Sequence, residues 1–357
     1  MHTVYVQILC NGEIHIMLFS SINYAIQLIS FFFSIIFNFL LIYLILMKSP
    51  KKMGTYKYLL VYFCSFSLLY SVLNLIVEPY IHSHGSALFV MMHLKLLKST
   101  PNIAFLFISL LVGCYAISIT TISIQFVFRY FAMERKGRIS YFRGKYLVIW
   151  FLIPLITGSL WIAFSWIYFY PTAKMSHYIS ETVYLHYAVN ISDITYTGVV
   201  LYPPDENGIP HIDYEILWSF LMLCFSMCIT FGTVVIFGLK SFKLVRELPK
   251  QGESAYTYKL QSQLFKAVVA QAFIPITFLF VPVGLLFIAP LLHFDIEPAS
   301  FLVTIFYSMY PAVDPLPVLL IVEDYRNGLS ELISNHSRNR LARIGLSSSG
   351  TNDTAAN

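Results

Sequence analysis

Charge is what this chain has least of. Asp, Glu, Lys and Arg together make 11% of its 357 residues, while 57% are hydrophobic. Soluble domains carry about 25% charged residues. Halving that share leaves too little polar surface to solvate a globule, which excludes a soluble enzyme, a disordered chain and a nucleic-acid binder. Cysteine is scarce too. Cys10, Cys64, Cys114, Cys224 and Cys228 are too few, and sit in too apolar a context, for a disulfide framework, so they read as packed free thiols. HExxH, GxSxG and Gly-rich phosphate-loop patterns are missing, which argues against an enzyme and calls for no cofactor. His82 and His84 form a pair with no further ligands at metal-site spacing, so no metal is expected.

What the chain does have is long apolar runs. A bilayer core about 30 Å thick needs about 20 apolar residues per helix. Seven runs qualify: 22–47, 58–80, 103–128, 146–169, 215–239, 267–290 and 300–322, and none contains Lys or Arg. Backbone amides in lipid must be satisfied within the segment, so the runs read as helices. The expected fold is an all-α membrane protein, a seven-transmembrane helix bundle. Its expected parts are an N-terminal segment 1–21, the bundle 22–322, an amphipathic surface helix 323–334 and a disordered tail 335–357.

The 23 basic residues set the orientation. Twenty fall in the loops 48–57, 129–145 and 240–266 and in the segment 323–357, and only Lys95, Lys98 and Lys174 lie on the other side. The positive-inside rule then places the N-terminus outside and the C-terminus in the cytoplasm. Nine of the eighteen acids and nine of ten histidines fall outside or at the outer edge, as weakly polar loop residues or as a pH- or metal-responsive face. Asn190-Ile191-Ser192 is the one glycosylation sequon this topology exposes to sugar transfer.

Ionisable residues inside a membrane are functional candidates. Asp314 is the deep one, with Glu78 nearer the outer edge. A retinal protein needs a lysine in a span, an aspartyl protease needs a second carboxylate, and neither is present. Asn38 lies ten residues before Lys48, Ser67 ten after Lys57, and Asp314 nine before Glu323. At 1.5 Å per residue all three sit about 14–15 Å above the inner edge. They are expected to form a polar cluster joining the first, second and seventh helices, either as a switch or as a structural bond. Pro311, Pro315 and Pro317 bend the same helix, and Pro275 and Pro282 permit a kink in the sixth. Arg129, at the inner end of the third span, can snorkel to headgroups or meet a cytoplasmic partner.

Four separated stretches carry a family likeness. KSPKKMGTYKY from Lys48, VEPYIHSHGSALFV after the second span, QFVFRYFAM closing the third and YPAVDPLPVLLIVEDYR in the seventh occur in order. The chain resembles nematode seven-transmembrane serpentine chemoreceptors of the class r (Str) group, with class j next. The resemblance implies an olfactory-type G-protein-coupled receptor on the cilia of sensory neurons, with a small odorant or soluble attractant or repellent and a heterotrimeric G-protein as partners. Phe128-Arg129-Tyr130 looks like the counterpart of the acidic-Arg-Tyr motif of rhodopsin-like receptors, which assigns Arg129 and Tyr130 to G-protein coupling. Asp314-Pro315 looks like their Asn-Pro motif, and Asn38 is similar in placement to their first-span asparagine. Phe128 replaces the acid, so an ion lock cannot form there. The loop 170–214 has no cysteine for the usual bridge to the third helix. Ligands of bundles sit between helices, and the outer-half candidates are Asn74, Glu78, Ser109, Tyr307 and Ser308. An odorant-gated channel subunit is the rival reading, but such channels have the opposite orientation.

Overall fold

The computed structural model describes residues 2–50, 53–94, 100–134, 137–205, 208–247, 254–292, 294 and 297–334. Five of the seven runs are single helices long and apolar enough to cross a bilayer. They are α1 (His2–Lys48, crossing over Ser20–Lys48), α2 (Tyr56–Val77), α3 (Pro101–Met133), α4 (Tyr146–Ile167) and α6 (Tyr214–Glu247). Between α4 and α6, off the bundle axis, lies α5 (Ala173–Tyr187). The sixth run is interrupted. α7 (Ala255–Pro275) passes through one π-helical stretch (Ile276–Phe280) into α8 (Val281–Leu292), so the break falls between the two prolines that cannot donate to the ladder. The seventh run is broken at Asp314-Pro315, between α9 (Glu297–Val313) and α10 (Leu316–Ile321). Residues 323–334 form a last helix, α11. Residues 2–21 are helical and continuous with the first span; the tail 335–357 lies outside the described residues.

α3 is the axis of the bundle. In its most apolar stretch 72% of residues are buried, against 17% in α4. α4 can approach it closely because glycines face each other. A Cβ on Gly158 would lie 2.9 Å from the Gly113 carbonyl oxygen and 2.6 Å from Ile117, and one on Gly113 would lie 2.7 Å from Ile162. Small residues at the contact are how helices pack where lipid offers no hydrophobic drive. The opposite faces of α1, α4 and α6 expose Phe32, Ile36, Phe39, Ile156, Leu160, Phe225 and Ile229. In water such a girdle would aggregate; in lipid it is the solvent-facing side.

One end of the bundle carries a three-stranded antiparallel sheet that the apolar runs did not announce. β1 (Tyr80–His84) and β2 (Ala87–His93) form a hairpin after α2, and β3 (Ile194–Val200), from the loop after α5, pairs with β2. Alternation splits its side chains into two faces. Ile81, Leu88, Val90, Met92 and Val199 pack on the bundle. Tyr80, Ala87, Phe89, Met91, Tyr196 and Val200 pack against Met175, Ile179 and Val183 of α5. Gly198 is required where β3 meets β2, since a Cβ there would lie 2.5 Å from the Leu88 carbonyl oxygen. The free edge of β1 is covered by α9: Ile81 N donates to Thr304 Oγ1 (3.0 Å) and Ser83 N to Ser300 Oγ (3.1 Å). The other end carries the basic loops and α11.

Candidate functional site

Beneath the sheet lies a cavity of about 110 Å³. Its roof is Ile81, Leu88, Val90, Thr197 and Val199 from the strands. Its walls include Val112 and Tyr115 of α3, Trp161 of α4, Phe220 and Leu223 of α6, Val283 and Leu286 of α8, and Tyr307 of α9. Among the described residues its lining has no charged side chain, so the space suits an apolar occupant.

An aromatic cluster leads from the cavity into the seventh span. Tyr307 packs on Tyr115 (6.0 Å between rings) and Tyr70 (5.3 Å), and Tyr70 packs on Tyr310 (5.9 Å). Proline chemistry explains what holds this helix. A proline has no N–H for the carbonyl four residues back. Pro311 therefore frees the Tyr307 carbonyl, which accepts from the Tyr70 hydroxyl (3.4 Å). Pro315 frees the Pro311 carbonyl, which accepts from Asn38 Nδ2 (3.2 Å) and Ser67 Oγ (3.2 Å). Both lone pairs of that oxygen are thus used. Asn38 is braced by Ser34, whose carbonyl and hydroxyl accept from the same amide at 2.9 and 3.2 Å. Asp314 is fully buried one turn on; its carboxylate pairs with the Tyr310 hydroxyl, and its carbonyl accepts from Gln271 Nε2 (3.4 Å). So Asn38 and Ser67 meet as the depth arithmetic suggests, through a backbone oxygen, while the Asp314 side chain points to its own helix.

At the basic end Arg129 is 1% exposed, although it closes a span. Its guanidinium stacks 3.5 Å from the centre of the Tyr56 ring, and its Nε and Nη2 find no hydrogen-bond partner among the described residues. A second cavity, about 160 Å³, lies beside it, lined among others by Met53, Thr55, Arg143, Gln261 and Leu264. Tyr130 donates to Glu134 (3.1 Å), and Glu134 pairs with Arg138 (3.2 Å). α7 is tied to α11 here. Lys259 Nζ lies 2.6 Å from Glu323 Oε2, and Gln263 both donates to that carboxylate (3.1 Å) and accepts from the Glu323 N–H (3.2 Å). Bonds from Lys259 and Gln263 hold the Glu323 carboxyl below its ordinary value of 4.5.

Of the five side chains expected around a ligand, Tyr307 lines the cavity; Asn74, Glu78, Ser109 and Ser308 do not. The hydroxyls of Ser109 and Ser308 are bonded to their own helices, at Phe105 (2.8 Å) and Thr304 (3.0 Å). Glu78 caps α2 in the left-handed conformation (φ 44°), with its N–H on the Asn74 carbonyl. His82 sits under α5, bonded to Tyr187 (3.1 Å), and no group of three His, Cys, Asp or Glu among the described residues could hold a metal ion. Asn190 is exposed just before a short 3₁₀ turn (Ile191–Asp193). Cys64 and Cys114 are packed free thiols, whereas Cys228 is free and exposed on α6. Sequence reasoning missed Tyr115 and Trp161, whose aromatic character is common to the whole chain. It also missed a buried polar stripe on α1, Asn23, Gln27, Ser30 and Ser34, that leads to Asn38, although its helical spacing was there to read.

The family model for serpentine type seven-transmembrane GPCR chemoreceptors, Str, matches residues 23–330. The chain is 29% identical over 313 residues to serpentine receptor class r-10 of Caenorhabditis briggsae, covering 86% of this chain and 90% of the relative. It is 30% identical over 281 residues to serpentine receptor class r-10 of Caenorhabditis elegans, covering 77% and 80%. It is 29% identical over 304 residues to the G-protein coupled receptor str-217 of Caenorhabditis elegans, covering 84% and 86%.

Proposed function

This chain belongs to the Str family of serpentine seven-transmembrane chemoreceptors, and from that premise we propose that it is an odorant-type receptor that binds a small molecule beneath the sheet and activates a heterotrimeric G-protein at its basic end. In this reading the basic end faces the cytoplasm and the sheet faces outside, which the split of twenty positive charges against three supports. Asn190 then carries the glycan. The receptor resides on the ciliated endings of sensory neurons.

One observation carries the reading: an apolar cavity at one end and a buried arginine with two unpartnered nitrogens at the other are bridged by broken helices. Ligand contacts on α8 and α9 favour a conformer in which α7 leaves α3 at the basic end, turning about the π-helical stretch. The ligand shifts this balance only as far as it binds that conformer better. The opened cleft lets acceptor groups of the G-protein reach Arg129 Nε and Nη2. The Lys259–Glu323–Gln263 bonds hold the closed form.

Expression with a G-protein reporter tests this. Odorant-dependent responses are expected, lost in Arg129→Ala with surface level intact. Currents that persist without any G-protein, or a cytoplasmic N-terminus in intact cells, would overturn the reading. Failure of a tagged copy to reach sensory cilia would refute the site of action.

A further inference from the structure

The cavity beneath the sheet holds more chemical information than its apolar lining suggests. Four of its polar side chains are already satisfied within the protein. Trp161 Nε1 donates to Ser226 Oγ (3.2 Å), and Ser165 Oγ to the Trp161 carbonyl (3.1 Å). Thr197 Oγ1 donates to the Phe169 carbonyl (3.3 Å), and the Tyr307 hydroxyl to the Leu111 carbonyl (3.5 Å). Tyr115 differs. Its ring is 4% exposed, it lines the cavity, and its hydroxyl is buried with no hydrogen-bond partner among the described residues. Buried hydroxyls in folded proteins are almost always bonded, so each exception needs a reason.

We infer that the ligand is a compact, uncharged, mainly apolar molecule with a single hydrogen-bonding oxygen or nitrogen, and that the Tyr115 hydroxyl is the group that receives it. This rests on the reading that the cavity is the ligand site. Size sets the first limit: an engineered apolar cavity of about 150 Å³ holds benzene, so about 110 Å³ admits roughly four or five non-hydrogen atoms. Charge is excluded because the lining offers no counter-ion. One polar atom is specified because one unpartnered hydroxyl is present, and a phenol can either donate or accept. The position also matters for signalling. Tyr115 packs on Trp161 (5.7 Å between rings) and on Tyr307. A ligand drawn to its hydroxyl therefore presses on the aromatic ring that leads into the broken seventh span.

The full chain in lipid nanodiscs, with binding read by thermal stabilisation, tests this with a matched pair of probes. Butanone and 2-methylbut-1-ene share a shape and differ in C=O against C=CH₂. The ketone is expected to bind the wild type roughly three- to tenfold more tightly, the usual worth of one hydrogen bond. Tyr115→Phe, which removes a hydroxyl with no partner among the described residues, should fold normally and erase the difference. Val283→Phe, which fills the cavity, should abolish binding of both. Equal binding to the wild type, a difference that survives in Tyr115→Phe, or no binding of either probe would each overturn the inference. The expected pattern with a silent G-protein reporter would refute the receptor reading and leave the ligand assignment standing. Reporter responses to long-chain odorants that Val283→Phe leaves untouched would do the reverse.

Discussion

The carbonyl of Pro311 offers a quantitative test of how the seventh span is held. Asn38→Leu and Ser67→Ala each remove one donor with little change of volume. Interhelical hydrogen bonds in membranes average about 0.6 kcal/mol. Each single change should cost about that much, because the oxygen keeps its other partner. The double variant leaves the oxygen buried with none. An unsatisfied buried acceptor costs about 1–3 kcal/mol more, so the pair should lose about 2–4 kcal/mol rather than the additive 1.2 or so. Pro315→Ala supplies the missing N–H and lets the helix satisfy its own carbonyl. In that background the double variant should fall back towards the additive value. Reversible unfolding of the purified protein in mixed micelles, followed by tryptophan fluorescence, measures all four corners. An additive double variant, or a penalty that Pro315→Ala leaves unchanged, would refute the assignment of Asn38 and Ser67 to that oxygen.

Three further outcomes follow. Lys259→Ala should raise basal G-protein activation, since it removes the 2.6 Å contact joining α7 to Glu323; unchanged basal activity would dismiss the latch. Glu323 is held below its ordinary value of 4.5, so the latch is at full strength above that pH and is lost as pH falls through the depressed value. Without ligand, spin labels on α7 and α11 of the wild type should separate only under such acid. Gly158→Leu should cost at least about 1–3 kcal/mol by overpacking against Gly113 and Ile117, read as a lower melting temperature and poor yield of folded protein. Asn190→Gln should remove the whole glycosidase-sensitive mobility shift.

The bundle was legible because lipid leaves a chain few choices. Seven charge-poor runs of helix-spanning length admit little else, and the basic loops group at one end. Within it, the Asn38–Ser67 meeting was legible from depth alone, since distance along a helix is linear in residue number. Direction around a helix is not so easily read. Each residue turns about 100°, and the Asp314 carboxylate faces Tyr310 rather than the shared oxygen. The sheet was invisible for a different reason. β3 comes from a loop about a hundred residues beyond β2, and no local pattern announces that pairing. The cavity was harder still, because Tyr115 and Trp161 are two aromatics among sixty, and only the unpartnered hydroxyl sets one apart.

The sheet's alternation divides labour along each strand. Met91 and Tyr196 are committed to α5, and they fix the frame. Leu88, Val90, Thr197 and Val199 hang from the same strands over the cavity. They form an exchangeable ceiling. Swapping one for a neighbour a methylene larger or smaller alters the room below by one small step, worth about 0.8 kcal/mol of apolar contact, without disturbing strand register or the helix above. Under the proposed function, single substitutions in two strands would retune the ligand while leaving the broken helices and Arg129 untouched.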